Sequence, residues 1–379
     1  MQFRDLSKQY EALKCDINQA MLDVASQNHY IMGPQVKELE QQLAAYTGAR
    51  HCLTCANGTD ALTLALKAWG VGKGDAVFVP NFTFFSSAEV VALEGATPVF
   101  VDVSDVTYNI DAVSLETAIQ ETLADGRLKP RVIVAVDLFG LPADYALIKA
   151  IATKYDLFIL EDGAQGFGGS IGGKKACSFG DISTTSFFPA KPLGCYGDGG
   201  AVFTDNDEWA TLMASYRVHG KGVDKYDNVR IGLNSRLDTL QAAILQVKLR
   251  AFDGEVERVN EAACRYTQLL AGSVKTPVIP DGFRSSWAQY TIQLADEAQR
   301  NHVQQALKEV GIPSMVYYPK TMSEQTAFKQ LQQFTYSTPS AKLAVSNRLS
   351  ATVLSLPMHP YLEASDIEYI CEQVKKAVR

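Results

Sequence analysis

One lysine of this chain lies in a stretch that is unusual for a charged side chain. Lys191 stands between the mostly apolar residues 186–190 and residues 192–200, which contain four glycines. Burial at such a position lowers the pKa of a lysine from its free value of about 10.4, and the neutral amine can condense with a carbonyl compound to a Schiff base. The alternative is a hydrated lysine on a glycine loop, and this stretch alone does not decide between the two.

Two acidic residues end another apolar segment. Glu161 ends the run 157–161, whose apolar character predicts a buried strand, and Asp162 follows directly. A buried carboxylate needs a cationic or hydrogen-bond-donating partner, so packing alone does not explain this pair. Asp162 is therefore the acidic residue that we expect to act in a functional site.

Two further strand ends carry residues suited to a flat, phosphorylated ligand. Gly58 and Thr59 begin a predicted helix, where free backbone N–H groups and the helix dipole favour a phosphate. Phe84 follows a second strand, and its ring can stack on a planar ligand. Each has an ordinary alternative, because Asn-Gly-Thr is also a common turn and cap, and such a phenylalanine is more often part of the core.

The elements that must position these residues alternate between apolar strands and helices. This pattern predicts an α/β fold of three layers, with a mainly parallel central sheet covered on both faces. Ligands of such sheets bind at the carboxyl ends of the strands. At those ends the sequence has a possible phosphate-binding turn, a ring that can stack, a buried acid and a lysine that can form a Schiff base. Together they predict a pyridoxal 5'-phosphate site, in which the acid keeps the pyridine nitrogen protonated. The predicted strands cover residues 51–55, 75–80, 97–102, 132–137, 157–161 and 184–188, and residues 197–204 are predicted to form a tight turn that enters another strand.

Composition places the chain among ordinary globular proteins. Of its 379 residues 47% are hydrophobic and 20% are charged, and the formal net charge is −7 without a basic run, so we expect no nucleic acid and no membrane as a partner. The start of the chain lacks the apolar core of a signal peptide, and the seven cysteines lack a disulfide pattern. We therefore expect a cytoplasmic protein with reduced thiols. The five histidines lack ligand spacing, and we expect no metal.

The length and a change of pattern predict two domains. Residues 1–250 would form the large cofactor-binding domain and residues 251–379 a smaller α+β domain. The segment 236–252 is helical by its apolar period. The second domain would contain a strand at 287–294, a helix at 301–310, a strand at 314–318 and a closing helix at 364–378.

Five motifs in register resemble those of the DegT/StrS-type nucleotide-sugar aminotransferases, a family of the fold-type I pyridoxal phosphate enzymes. The resemblance covers essentially the whole chain and implies the fold of that class. The chain differs slightly from the family pattern at two places. It has Asp162-Gly-Ala-Gln165 where the family often has Asp-Ala-Ala-Gln, and Tyr317-Tyr-Pro319 where His-Tyr-Pro is usual. The motifs are Tyr30-Ile-Met-Gly-Pro34, Ala56-Asn-Gly-Thr-Asp-Ala-Leu62, Glu161-Asp-Gly-Ala-Gln165, Ser186-Phe-Phe-Pro-Ala-Lys191 and Gly232-Leu-Asn-Ser-Arg-Leu-Asp238.

The resemblance implies roles for individual residues. Lys191 would carry the Schiff base, Asp162 would bind the pyridine nitrogen, and Gln165 would lie near the phenolic oxygen of the cofactor. Phe84 would stack on the ring. The phosphate would be held by Gly58, Thr59 and Ser186, together with an asparagine, Asn234, contributed across a homodimer. Contacts to the substrate are implied for Tyr30, Arg236, Tyr317 and His359.

The resemblance also indicates a substrate. The stretch 192–200 looks most like that of members that aminate C3 of a UDP-linked 3-oxo-2-acetamido glucuronate, with glutamate as the expected donor, for surface polysaccharides such as the O-antigen of lipopolysaccharide. Other members act on 4-keto-6-deoxy sugars linked to dTDP or UDP. A sugar dehydratase on the same scaffold would have histidine in place of Lys191. A regulator that keeps the fold without catalysis is the alternative from another class.

Overall fold

A computed structural model describes residues 1–224, 226–332 and 340–379 of the chain. Within these ranges the strands form one large sheet and two small ones. In chain order they are β1 (His51–Cys55), β2 (Asp75–Pro80), β3 (Thr97–Val101), β4 (Lys129–Val136), β5 (Phe158–Asp162), β6 (Ser170–Ile171), β7 (Lys174–Lys175), β8 (Ile182–Ser186), β9 (Gly200–Thr204), β10 (Phe283–Arg284), β11 (Tyr290–Gln293) and β12 (Val353–Leu356).

The large sheet has seven strands in the order β1-β9-β8-β5-β4-β2-β3. The neighbours β8, β5, β4, β2 and β3 pair in parallel, while β9 lies antiparallel between β1 and β8. Six strands therefore run in one direction, and their carboxyl ends share one edge. This arrangement confirms the predicted α/β fold with a mainly parallel sheet.

Helices cover both faces of this sheet, because its central strands are apolar on both sides. In β4, Val132 and Val134 belong to the core on one face, whereas Ile133 and Ala135 belong to the core on the other face. The helices are α1 (Leu6–Gln27), α2 (Pro34–Thr47), α3 (Gly58–Ala68), α4 (Ser86–Leu93), α5 (Ala112–Asp125), α6 (Tyr145–Tyr155), α7 (Asp207–Tyr216), α8 (Thr239–Leu270), α9 (Glu297–Glu309), α10 (Thr326–Gln332), α11 (Ala344–Thr352) and α12 (Ala364–Val378).

The C-terminal part has a core of its own. Strands β11 and β12 pair antiparallel, and Tyr290, Ile292 and Leu354 pack with α9, α12 and the second half of α8. The predicted strand at 314–318 is wrong: Met315 makes a single bridge to Ser355. Proline at 313 and at 319 has no N–H to donate, so the pairing does not extend.

Helix α8 is much longer than the predicted segment 236–252. It begins at Thr239 and continues for 32 residues to Leu270. The reason is that its apolar stripe continues from Phe252 through Val259 to Tyr266, all of them buried. The N-terminal half packs against α1 and the large domain, and the C-terminal half packs in the smaller core. The boundary that we proposed near residue 250 lies inside this helix.

Three global features bear on the expected chemistry. Among the described helices, none is long and apolar enough to cross a membrane. Within the same ranges, no group of three or more histidine, cysteine or acidic side chains is arranged to hold a metal ion. All seven cysteines are free thiols, and Cys52 and Cys55 are buried in β1.

Candidate active site

Lys191 lies on a tight turn just after β8. Its backbone N–H donates to the carbonyl of Phe188 at 2.8 Å, and the N–H of Cys195 closes the loop onto the carbonyl of Phe187 at 2.8 Å. The side chain is half-buried. Burial lowers the pKa of the Lys191 amine below its ordinary value, the Asp162 carboxylate raises this pKa, and the charge of Arg4 lowers it. The turn thus holds a partly desolvated amine opposite a carboxylate.

Asp162 is the last residue of β5 and is only 4% exposed. Its Oδ2 atom accepts a hydrogen bond from the hydroxyl of Ser87 at 2.7 Å, and its Oδ1 atom accepts one from the N–H of Ala164 at 3.2 Å. Ser87 belongs to the first turn of α4, just beyond Phe84. The carboxylate is therefore fixed from two elements and can accept a further hydrogen bond from a ligand.

Glu161, its neighbour in β5, has a different role. Successive side chains of a strand point to opposite faces, and Glu161 accepts hydrogen bonds from the N–H groups of Phe179 and Gly180 at 2.6 and 3.1 Å and from the Ser183 hydroxyl at 2.7 Å. Burial raises the pKa of Glu161. This acid holds the segment before β8 in place, which leaves Asp162 as the acid on the side of Lys191.

Gln165 links the turn after β5 to the C-terminal part of the chain. Its Oε1 atom accepts from the N–H of Phe139 at 2.7 Å, and its Nε2 atom donates to the hydroxyl of Tyr318 at 2.9 Å. The ring of Tyr318 lies 6.1 Å from the ring of Phe84, centroid to centroid. Phe84 is 52% exposed, so its ring is not part of the core.

The predicted phosphate-binding site lies where the start of α3, which follows β1, meets the end of β8. Gly200 pairs with Cys55 on one side and with Ser186 on the other. This register brings the start of α3 against β8: a Cβ atom on Gly58 would lie 2.8 Å from the Cβ of Ser186, and one on Gly200 would lie 2.5 Å from the carbonyl oxygen of Asn57. Only glycine fits at both positions.

The first turn of α3 has free donors for an anion. The side chain of Asn57 caps the helix by accepting from the N–H of Asp60 at 2.8 Å. The N–H groups of Gly58 and Thr59 have no intrahelical acceptor, because they precede the first full turn. Together with the adjacent hydroxyl of Ser186 they form a cradle that suits a phosphate.

Asn234 and Arg236 lie beside this seat on the surface of the subunit. The guanidinium of Arg236 donates to the Oδ1 atom of Asn234. Both line a cavity of about 480 Å³ that Ala56 and Gly197 also line. No hydrogen bond between either residue and Gly58 or Thr59 occurs in the described part of this chain.

The other residues predicted to contact the substrate have different surroundings. Tyr30 is 46% exposed, and its hydroxyl donates to Asn28 Oδ1 at 3.1 Å. Tyr317 packs edge-on against Phe3, with ring centroids 6.1 Å apart. His359 is buried, and its Nδ1 atom accepts from the N–H of Tyr361 at 3.3 Å. Burial lowers the pKa of His359 to about 4.

Sequence reasoning missed three residues of this site. Tyr318 stands within the quoted Tyr317-Tyr-Pro319, and Ser87 follows Phe84 by three residues, so their hydroxyl groups were available signals. Arg4 donates from one guanidinium nitrogen to the carbonyl of Lys191 at 2.8 Å and to that of Pro192 at 3.2 Å. It lies 187 residues from Lys191 in the chain, and no local pattern marks it.

Comparison with known proteins identifies the family. The family model described as "DegT/DnrJ/EryC1/StrS aminotransferase family" matches residues 11–375. The chain belongs to this aminotransferase family. Membership confirms the predicted enzyme class and the predicted cofactor, pyridoxal phosphate, and the Gly58–Ser186 cradle, Asp162 and Lys191 provide groups that fit it.

Individual members of the DegT family are similar over their whole length. The UDP-2-acetamido-2-deoxy-3-oxo-D-glucuronate aminotransferase of Pseudomonas aeruginosa is 43% identical over 98% of this chain and 98% of its own. A protein of Geobacillus stearothermophilus named pleiotropic regulatory protein is 41% identical over 99% of this chain and 98% of its own. The crystal structure of a family aminotransferase from Brucella abortus superposes with a TM-score of 0.96, at 48% identity and 99% coverage of both chains.

Proposed function

We propose that the protein transfers an amino group from glutamate to the C3 keto group of a UDP-linked 3-oxo-2-acetamido glucuronate. The observation that carries the chemistry is that a partly desolvated Lys191 amine and the buried Asp162 carboxylate follow the ends of the neighbouring strands β8 and β5, where the carboxylate acts on the pKa of the amine. The similarity to the Pseudomonas aeruginosa enzyme supports this substrate over a 4-keto-6-deoxy sugar. Lys191 argues against a dehydratase, which would have histidine at this position.

When bound, pyridoxal phosphate supplies a carbonyl group that takes up the amino group and a ring that delocalises negative charge. The N–H groups of Gly58 and Thr59 and the hydroxyl of Ser186 would hold the phosphate. Asp162, oriented by Ser87, would keep a proton on the pyridine nitrogen.

The Lys191 amine would act as the general base and acid of the transfer. Because burial lowers its pKa, its Nζ atom can accept a proton from the α-carbon of the amino donor and return one to the keto carbon of the sugar. The exposed ring of Phe84 would cover one face of the site and exclude water. Gln165, held by Phe139 and Tyr318, would orient the phenolic oxygen of the cofactor.

The proposed enzyme is a homodimer with shared active sites. Asn234 is exposed beside the phosphate seat, and large apolar side chains near it are also exposed, including Ile31 at 50% and Ile231 at 90%. Exposed apolar side chains of this kind mark contact surfaces. In such a dimer Asn234 would reach the phosphate of the opposite site, and Arg236 would reach the sugar or the carboxylate of the amino donor.

Mixing two inactive variants tests the shared site. Lys191→Ala and Asn234→Ala would each lose activity, but a heterodimer of the two has one site with both residues intact. Random exchange of subunits should restore roughly a quarter of the wild-type rate. Lys191→Ala mixed with itself is the control. If the mixture stays inactive although mass spectrometry shows heterodimers, Asn234 acts within its own subunit.

The free thiols of all seven cysteines support a cytoplasmic location. The proposed amino sugar would serve the synthesis of a surface polysaccharide such as an O-antigen.

The decisive experiment is a panel of UDP- and dTDP-linked 3-keto and 4-keto sugars with glutamate, read by mass spectrometry of the products. Amination of the 3-oxo glucuronate supports the proposal. Amination of only a 4-keto-6-deoxy sugar overturns its substrate, and a cofactor-loaded protein that aminates none supports the regulator.

A further inference from the structure

Two cationic side chains, one half-buried and one buried, hold the backbone of the turn that follows Lys191. Arg4 comes from the N-terminal segment, and its guanidinium donates to the carbonyl groups of Lys191 and Pro192 at 2.8 and 3.2 Å. Lys248 comes from α8, is 1% exposed, and donates from Nζ to the carbonyl of Gly194 at 2.7 Å. Three of four consecutive carbonyl groups thus accept hydrogen bonds from cationic side chains.

These cations are not neutralised one to one. The nearby carboxylate is Glu255 of α8, which is 3% exposed and accepts hydrogen bonds from Gln9 Nε2 at 3.0 Å and from the Tyr361 hydroxyl at 2.7 Å. Burial lowers the pKa of Arg4 to about 10 and that of Lys248 to about 8, while the charge of Glu255 raises both. Two cations and one anion leave an excess of positive charge behind the turn.

Holding a turn with cationic side chains that are partly or fully buried is energetically unfavourable compared with using neutral donors. Taking charges out of water destabilises the folded chain, and a single carboxylate offsets that effect only in part. A turn that only needed to be closed could use neutral donors, as the 187–195 contact does with the N–H of Cys195. Closing the turn therefore does not by itself explain the positive charges of Arg4 and Lys248.

We propose that Arg4, together with Lys248, is a positioning residue for Lys191, because it fixes the turn that aims the amine and places positive charge behind that amine. The positive charge of Arg4 disfavours the protonated form of Lys191 and so adds to the effect of burial, against the Asp162 carboxylate. The charged groups that act on Lys191 and on the two cations are Asp162 of β5, Arg4 of the N-terminal segment, and Lys248 and Glu255 of α8. Within the turn, the thiol of Cys195 lies near Lys248 and Asp198.

The proposal rests on the role proposed for Lys191, but it can be tested without turnover. In the apoenzyme, competitive acetylation at a series of pH values, read by peptide mass spectrometry, gives the pH midpoint of Lys191 reactivity. We expect Arg4→Gln to raise this midpoint by about 0.5 to 1 pH unit, and Arg4→Lys, which keeps the charge, to restore most of the difference. Arg50→Gln, at an exposed arginine paired with Asp207, is the control and should leave the midpoint unchanged.

A second variant covers the case in which Arg4→Gln does not fold. Arg4→Met keeps an apolar stem but removes the charge, and the Lys191 midpoint of this variant should shift in the same direction. A folded Arg4→Gln protein with the wild-type midpoint overturns the proposal, and so does an unchanged midpoint in Arg4→Met if Arg4→Gln is unfolded. Because the labelling reports the amine itself, these outcomes are distinct from a failure of the sugar assay.

Discussion

Ser87 donates its hydroxyl proton to Oδ2 of Asp162 over 2.7 Å, which ties the start of α4 to the end of β5 across 75 residues of sequence. A hydrogen bond to a charged group contributes about 1.5 to 3 kcal/mol. The contact keeps the acid in one orientation while its other oxygen accepts only a longer bond from Ala164. Two elements, β5 and α4, therefore fix the orientation of the Asp162 carboxylate. Replacing Ser87 would disturb this orientation while leaving Asp162 in place.

We expect graded losses of activity from this pair. Asp162→Asn should lower kcat by at least about 100-fold, because the amide no longer favours a proton on the pyridine nitrogen. Ser87→Ala should lower it roughly tenfold, which corresponds to the loss of one charge-assisted hydrogen bond. Steady-state kinetics measure both, with Ser350→Ala as the control. Equal rates for Ser87→Ala and wild type would contradict the orienting role.

Replacement of Lys191 tests the proposed base directly. Lys191→Ala should lower kcat at least about 1000-fold, because the chain loses both its covalent anchor for the cofactor and its proton carrier. Lys149→Ala, at an exposed lysine of α6, is the matched control. Circular dichroism should show that both variants fold. A Lys191→Ala rate near that of wild type would remove the assignment.

The phosphate cradle predicts a loss of cofactor affinity without loss of fold. In Gly58→Ala the new methyl group would lie 2.8 Å from the Cβ of Ser186, so the start of α3 must shift away from β8. We expect the Kd for pyridoxal phosphate to rise at least tenfold in equilibrium titrations of the apoenzyme. Gly72→Ala is the control, because a Cβ there meets only the carbonyl of Glu94 at 3.6 Å. An unchanged Kd in Gly58→Ala would place the phosphate elsewhere.

The hydroxyl of Tyr318 should matter because it is the partner of Gln165. Tyr318→Phe leaves the Nε2 donor of Gln165 without its 2.9 Å acceptor, and we expect kcat/KM to fall about fivefold, in line with one neutral hydrogen bond of about 1 kcal/mol. Tyr369→Phe, at a partly exposed tyrosine of α12, controls for the loss of a hydroxyl. A Tyr318→Phe enzyme with full kcat/KM would show that Gln165 needs no such support.

Burial of His359 predicts a pH-dependent stability. Its pKa is lowered to about 4, against about 6.5 in the unfolded chain, so between these values the unfolded state binds one more proton. The resulting contribution of His359 to the free energy of unfolding is about 3 kcal/mol. It is present in full above pH 6.5 and is lost as the pH falls to 4. Urea unfolding of the apoenzyme across this range should show a shallower pH slope for His359→Gln than for wild type. The exposed His302→Gln variant is the control, and equal slopes in all three proteins would contradict the prediction.

Much of the fold could be predicted because its signals are local. The strand 75–80 and the closing helix 364–378 coincide with β2 and α12. The ends of the strands also indicated Asp162, Gly58 and Lys191, because parallel strands bring such residues to one edge. Helix α8 was predicted too short, since the apolar period continues beyond residue 252 on a different core.

The rest of the site depends on contacts that no local pattern encodes. Arg4 meets Lys191 only because the N-terminal segment passes beside the turn, and the Gly200 register that joins Cys55 to Ser186 needs an antiparallel strand inserted between two parallel ones. Likewise, Glu161 and Asp162 look equivalent in sequence. The pleat of β5 separates their functions, because one side chain faces the 177–183 loop and the other faces α4.

The continuous helix α8 makes the chain difficult to divide. At 1.5 Å per residue its 32 residues extend about 48 Å and enter both hydrophobic cores. A fragment that ends at residue 250 would expose the apolar neighbours of Leu245 and Phe203, while the remainder would begin inside a helix and leave Phe252 and Val256 without a partner. Separate expression of the two parts should therefore give aggregating fragments, and shortening the protein from its N-terminal end removes Arg4, which supports the turn that follows Lys191.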